Sequence, residues 1–372
     1  MKIALIHDQL SEFGGSERVL IALKKIFPEA DIFTLVYNPE RLGPHKDIIK
    51  KWQIKTSWFN KIPILRDFYS PFRFLTPFIW ESFDFSKYDL VISSSGSWMS
   101  KGIKIKNPTI HISYIHHPPR YLYGYETAIE WKKYLPIKIY AYIINHFLRI
   151  WDYYSSQRPN YLITNSKETQ RRIKKFYRRN SHVIYPPVEI PKKLKVTSYK
   201  SHNYYLTVSR LAKAKHIDIL INAANKLKFN LKVVGCGRDK KYLKSIAGKT
   251  VEFLGNLSDE ELGNVYFSTK AFLFASRDEE FGIAPVEAMG YGLPVIAYNS
   301  GGLPEYIKDG VNGYLFNQLN EESLISTIRK LEQLSASQYQ NMKKEARKTA
   351  EKFSFGNFKK NFFAFLKKNK II

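Results

Sequence analysis

Glu279 and Glu287 stand eight positions apart in the stretch DEEFGIAPVEAMGYGLPVIAYNSGGLPE, Asp278 to Glu305. Between them lies the turn Phe281-Gly282-Ile283, and a Gly301-Gly302 pair follows one strand later. A carboxylate can accept hydrogen bonds from two vicinal hydroxyls at once, which is how proteins hold a ribose or a hexose. Gly282 lets the backbone approach a ligand with no Cβ in the way. Pro285 suits the first turn of a helix, so the amides of Phe281, Gly282 and Ile283 sit at a positive helix end that favours phosphate. One carboxylate for each sugar of a nucleotide-sugar accounts for there being two. Taken singly, either glutamate reads as a solvated side chain or a complement to the helix dipole.

A diphosphate beside two carboxylates needs fixed cations. The stretch TVSRLAKAKHID offers Arg210 and Lys215 on the loop after a strand, with Lys213 read as solvated. Arginine binds phosphate oxygens bidentately and lysine acts as a mobile point charge. VVGCGRDKK lacks the third glycine of a dinucleotide fingerprint, since that position is Lys240. Gly235 and Gly237 are instead expected to line the nucleotide side. Nearer the N-terminus, Gly14 and Gly15 precede a helix expected from Ser16, and serve either as an amide-lined helix end or as a flexible turn. His116, His117 and Arg120 follow another strand in SYIHHPPRYLYG, without metal-ligand spacing. There is no D-x-D, no Walker A loop, no Gly-x-Ser-x-Gly and no Cys/His zinc pattern. No metal and no other cofactor are expected, so leaving-group charge falls to Arg210, Lys215 and backbone amides.

Short apolar runs carry these residues at their ends. KIALIHD, YDLVISSS, TIHISYIH and YLITNS read as strands of one half, and YYLTVSR, LKVVGCG, VEFLGN, KAFLFAS and LPVIAYN of the other. Helical periodicity covers 16–26, 167–176, 217–227 and 259–265, and Ser258 with Glu261 forms a capping box. Near-continuous Val/Ile/Leu strands alternating with helices predict parallel sheets covered on both faces. The fold class is therefore α/β, with two doubly wound Rossmann-like domains facing a central cleft. The expected division is 1–185, a Pro- and Lys-rich linker 186–203, and 204–352, with a helix near 353–372 returning to the first domain.

Composition limits the rest. With 372 residues and 44% hydrophobic content the chain can bury two cores. Lys and Arg number 59 against 33 Asp and Glu, a formal charge of +26 that attracts polyanions. The single cysteine, Cys236, excludes an internal disulfide. The start, MKIALIHD, reads as a strand rather than a leader, and no apolar run is long enough to span a bilayer. Residues 50–83 hold ten Phe, Tyr or Trp and six Lys or Arg against two acids. Prolines break that segment into short amphipathic pieces, read either as a core excursion with a basic edge or as a membrane-interfacial surface.

Glu279 to Glu287 resembles the E-x7-E motif of retaining family 4 glycosyltransferases with the GT-B fold, and the likeness covers nearly the whole chain. The resemblance implies that Glu279 faces the donor sugar and Glu287 the nucleotide ribose, with the Phe281, Gly282 and Ile283 amides near sugar and phosphates. It places Arg210 and Lys215 on the diphosphate, the backbone of Phe253 and Leu254 at the base, and Gly14 and Gly15 near donor phosphate and acceptor. The family's usual glycine after that lysine is His216 here. IHHPPRY and VIYPPV resemble O-antigen-type mannosyltransferases, which puts His116 on the sugar side and makes GDP-mannose the first donor expected, with a UDP-sugar as the other. The function implied is hexose transfer to a glycan or lipid-linked acceptor in cell-surface polysaccharide biosynthesis. The enzyme would be cytoplasmic and peripheral on an anionic inner membrane face. Nucleic acid is not an expected partner. The rival readings are another enzyme of the same fold, an epimerase or hydrolase of nucleotide-sugars, and a basic nucleic-acid-binding protein.

Overall fold

The computed structural model describes residues 1–127, 134–191 and 204–372. Two compact units divide it. One takes Met1–Tyr125, the chain up to Pro187, and Phe358–Ile372; the other takes Val188–Asn357 together with Glu126 and Thr127. Most of the expected linker, 192–203, lies outside the described residues. Its residues Val188 and Pro191 are held within the second unit: the Val188 amide donates to the Phe353 carbonyl at 2.8 Å, and Arg347 Nη2 donates to the Pro191 carbonyl at 2.7 Å.

The first unit is built on seven parallel strands: β1 (Ile3–His7), β2 (Asp31–Thr34), β3 (Ile54–Thr56), β4 (Leu90–Ser95), β5 (Ile110–Ile115), β6 (Tyr161–Thr164) and β7 (His182–Val183). Their order is β3-β2-β1-β4-β5-β6-β7, so chain direction across the sheet reverses between β1 and β4. Helices α1 (Gly15–Ile26), α2 (Lys46–Ile49), α3 (Pro63–Asp67), α4 (Thr76–Glu81), α5 (Leu135–Ser156) and α6 (Lys167–Tyr177) connect them. Every residue of β4 is buried, as a strand covered on both faces requires. Residues 50–83 are broken into short elements. Phe59, Leu65, Ile79 and Trp80 enter the core, while Trp58, Ile64, Phe68 and Phe78 stay exposed.

The second unit repeats the plan with six parallel strands: β8 (Tyr204–Val208), β9 (Leu231–Val234), β10 (Val251–Gly255), β11 (Thr269–Phe274), β12 (Val295–Tyr298) and β13 (Gly313–Phe316). The order β10-β9-β8-β11-β12-β13 reverses between β8 and β11. Its helices are α7 (Ile217–Leu227), α8 (Lys240–Ile246), α9 (Asp259–Phe267), α10 (Ile283–Gly290), α11 (Glu321–Glu332) and α12 (Ala336–Glu351). The Ser258 capping box opens α9, with the Glu261 amide 3.3 Å from Ser258 Oγ. The last helix, α13 (Phe355–Lys368), packs its aromatic stripe on the first unit. Phe362 meets Phe27, Phe365 meets Tyr161 edge-on, and Phe358 meets Tyr114.

Candidate functional site

Open parallel sheets bind ligands at the carboxyl ends of the strands where the order reverses, because neighbouring loops there diverge. In the second unit that point lies between β8 and β11. The loop after β8 carries Arg210 and Lys215; the loop after β11 carries Ser276 and Glu279. Lys215 Nζ lies 2.5 Å from Glu279 Oε2, and Ser276 Oγ lies 2.8 Å from the same oxygen. Both charged side chains are mostly buried, at 17% and 16% exposure, so this pair is far less screened than a surface one. Arg210 is exposed on the same loop, and Lys213 lies within a short 3-10 turn there. His216 has φ +48° and caps α7, and its Nε2 lies 3.0 Å from Glu126. The position needs a left-handed backbone, which explains why the family's glycine belongs there and shows that histidine can fill it.

Two glycine pairs hold these loops. A Cβ at Gly301 would sit 2.0 Å from the Glu279 carbonyl oxygen, and one at Gly302 would sit 2.2 Å from that of Glu280. The Gly302 amide donates to the Glu279 carbonyl at 2.8 Å. The pair after β12 thus lies directly against the Glu279 loop. Gly235 and Gly237 do the same for the Arg210 loop, since Cβ atoms there would meet the Ser209 and Leu211 carbonyls at 2.1 and 2.2 Å. Their missing side chains make room for the 209–211 backbone, a structural role that the sequence did not show.

Helix α10 follows. Gly282 has φ +81° at its N-cap, and a Cβ there would meet Leu303 and Tyr306 at 3.0 and 3.1 Å. The Phe281 side chain is buried against Tyr306 and Phe353, so only its backbone is available to a ligand. Tyr306 Oη reaches the Phe281 and Gly282 carbonyls at 2.9 and 3.1 Å and fixes the turn. Burial, then the Glu279 and Glu305 charges, push the Tyr306 phenol well up, so it stays a neutral donor. Glu287, in the second turn of α10, is 8% exposed. Burial, then the Glu287, Asp259 and Glu189 carboxylates, raise the nearby Tyr291 phenol. Phe253 and Leu254 are half-buried on β10.

The first unit also gathers polar groups at its reversal point. His116, just past β5, places Nε2 2.7 Å from Ser94 Oγ on β4. Ser94 Oγ lies 2.9 Å from His7 Nδ1, and His7 Nε2 lies 3.0 Å from Glu17 Oε1 on α1. All four side chains are buried. The other Glu17 oxygen accepts from the Gly14 amide at 2.8 Å and from Ser16 Oγ at 3.0 Å. Burial raises the Glu17 carboxyl, but the His7 hydrogen bond and charge and the amide and hydroxyl donors outweigh it, and the net shift is downward. Gly14 caps α1, which begins at Gly15, one residue before the expected start, and its amide is committed to Glu17. Asp8 ties the β4 exit to β1 by accepting from the Gly96, Trp98 and Ser100 amides at 2.9, 2.7 and 2.9 Å. His117 bonds the Pro118 carbonyl at 3.0 Å.

Of the residues singled out from sequence in the second unit, the structure brings Lys215 and Glu279 into contact; sequence reasoning did not single out Ser276 beside them, nor His7, Asp8, Glu17 and Ser94 in the first unit. HD at the end of the first strand and SSS at the end of the fourth were visible signals, because both strands end at the reversal point. Among the described residues, no three His, Cys, Asp or Glu side chains form a group that could hold a metal ion.

Residues 13–191 match the family model Glycosyltransferase Family 4, and residues 190–349 match Glycosyl transferases group 1. An uncharacterized glycosyltransferase of Methanocaldococcus jannaschii is 30% identical over 182 residues, covering 48% of this chain and 51% of that protein. The alpha-1,3/1,6-mannosyltransferase of Homo sapiens is 27% identical over 197 residues, covering 44% and 47%. The matched stretches span about half the length of these two relatives. Among solved structures, Anabaena HepE in complex with UDP superposes with a TM-score of 0.73, at 19% identity over 99% of this chain and 100% of that one. At that identity the likeness shows the fold, which is GT-B.

Proposed function

From a chain that is a glycosyltransferase of the GT-B fold, with both halves matched to glycosyltransferase family models, we propose a retaining hexosyltransferase that uses a nucleoside diphosphate sugar. The acceptor is a hydroxyl of a glycan, lipid-linked or polysaccharide, in cell-surface polysaccharide synthesis at the inner face of the membrane. One observation carries the reading: Glu279, Lys215 and Ser276 converge at the strand-order reversal of the second unit, next to the N-terminus of α10.

Each part has a chemical task. Glu287 accepts from the ribose diol and Glu279 from hydroxyls of the transferred sugar. Lys215, Arg210 and the amides entering α10 stabilise the charge that grows on the β-phosphate as the anomeric bond breaks. The acceptor oxygen attacks from the side the diphosphate leaves, and the β-phosphate oxygen takes its proton, which retains configuration. No protein nucleophile is needed. His116 is the first unit's polar group for the sugar.

The donor is read as GDP-mannose, supported by the IHHPPRY segment and by the similarity to a mannosyltransferase. A UDP-sugar is the second reading, favoured by the bound UDP of HepE. The test is acceptor-dependent nucleotide release across GDP-mannose, UDP-glucose, UDP-galactose and UDP-N-acetylglucosamine, with the product's anomeric configuration read by NMR. Release from GDP-mannose with retained configuration is expected. Turnover of UDP-sugars alone would replace the donor, inverted product would remove the retaining step, and turnover of none would sink the proposal.

A further inference from the structure

Helix α5 turns an apolar stripe away from the core. Its buried residues are Asn145, Leu148, Asp152, Ser155 and Ser156, four of the five polar. On the opposite side run Ile139, Ile143, Phe147, Ile150 and Tyr154, spaced four, four, three and four residues apart, which is one helical stripe. Their exposures are 54, 54, 64, 47 and 65%. Ile144, Leu148 and Trp151 meet the core, as a surface helix requires, but the outward side is apolar as well, where polar residues normally face water. The inward face is fixed. Asp152 pairs with the buried Lys101 and accepts from Tyr123 Oη at 2.7 Å, so the helix cannot roll its apolar side inward without stranding a buried charge.

The stripe does not stand alone. Tyr140 Oη donates to the Pro71 carbonyl, which joins α5 to the short elements where Trp58, Ile64, Phe68 and Phe78 are exposed. Nine exposed apolar side chains on two segments joined at Tyr140 and Pro71 are more than the singly scattered exposure ordinary in soluble proteins.

We propose that the outward face of α5, with the exposed aromatic residues of 58–78, is a docking surface for an anionic lipid bilayer. Charge chooses this occupant over a second protein chain. Segments 46–80 and 134–158 contain ten Lys or Arg against three Asp or Glu, and one of those acids is the buried Asp152. Lys138 and Arg149 lie on α5 itself, away from the stripe's centre, where long side chains reach headgroup phosphates while the apolar residues enter the acyl boundary. Tyrosine and tryptophan suit that same depth. A face this basic would repel its own copy across a two-fold interface. At 22 residues α5 is about 33 Å long and lies along the surface, since no described helix is long and apolar enough to cross a membrane.

The inference deepens the lipid-acceptor reading but has its own readout. Wild-type protein is spun with phosphatidylcholine vesicles, with and without phosphatidylglycerol, across a salt series. Two double variants follow, I143S/F147S and I150S/Y154S, both on exposed positions. Binding to the anionic vesicles, lost at high salt and weakened tenfold or more in both variants, is expected. Unchanged melting temperature and donor nucleotide affinity in the variants show that only docking was touched. Failure of wild type to bind anionic vesicles overturns the proposal, as does unchanged binding by both variants. Sedimentation velocity covers the second-copy case: a wild-type dimer that dissolves in the variants, without vesicle binding, also overturns it. Nucleotide affinity measured in the same samples separates failure of docking from failure of the glycosyltransferase reading.

Discussion

At the scale of single residues, the contact between Lys215 and Glu279 links the phosphate-side cation to the sugar-side carboxylate. Lys215→Ala should therefore remove a diphosphate cation and also leave a mostly buried carboxylate uncompensated. Charged hydrogen bonds are worth roughly 1.5–3 kcal/mol, so kcat/KM should fall at least ten- to a hundredfold. Arg210→Ala should fall within that range, while Lys213→Ala should stay within about threefold of wild type by steady-state kinetics. Equal losses for all three would mean the loop acts only through net charge. The chain Glu17–His7–Ser94–His116 suggests that Ser94 positions His116. Ser94→Ala should lower kcat by up to about a hundredfold and move the acidic limb of the pH–rate profile, with nucleotide affinity unchanged. Restoration of the profile by Ser94→Thr would support positioning; an unmoved profile would assign Ser94 to packing. His116 was legible in the sequence because it stands in a motif. Its partners were not, since Ser94 and His7 come from strands 87 residues apart and meet only through parallel pairing.

Strands and helices were the most legible level, because near-continuous apolar runs between amphipathic segments leave few alternatives. The bounds of α7 were read to the residue, and α1 began one residue early because Glu17 caps Gly14. The packing role of the glycines was not legible in the sequence. Gly301 holds φ +63° beside the Glu279 carbonyl, so Gly301→Ala must displace the Glu279 loop. The expected cost is about 1–3 kcal/mol of stability, read by urea unfolding, with a fall in kcat/KM. A fully active, unshifted variant would show that the loop tolerates movement. In β5, His111 is buried beside Ser93, and burial, then Arg179 and Arg158, lower its pKa to about 3. The folded chain keeps it neutral while the unfolded chain protonates it near pH 6.5. Its contribution is therefore full above pH 6.5 and is lost as pH falls from there toward 3, at about 1.4 kcal/mol per pH unit. Urea unfolding at pH 7, 6 and 5 should show this slope, and His111→Phe should flatten it. Identical slopes would contradict a buried neutral histidine.

For the molecule as a whole, both units use one design: a parallel sheet with polar groups gathered where strand order reverses. The repeated design was visible in the alternation of strands and helices. The apolar outward face of α5 was not, because sequence gives a helix's faces without saying which one is buried. The absence of a D-x-D motif led to a metal-independent reading, so turnover should survive EDTA. Abolition by EDTA with rescue by Mg²⁺ or Mn²⁺ would transfer the charge-neutralising role from Lys215 and Arg210 to a metal. The central claim is that Glu287 holds the nucleotide and Glu279 the transferred sugar. Calorimetric titration of nucleoside diphosphate into wild type, Glu287→Ala and Glu279→Ala, paired with turnover, tests it most directly. The account predicts that Glu287→Ala loses about ten- to a hundredfold in nucleotide affinity, whereas Glu279→Ala keeps that affinity and loses turnover. Wild-type affinity and turnover in both variants would contradict it.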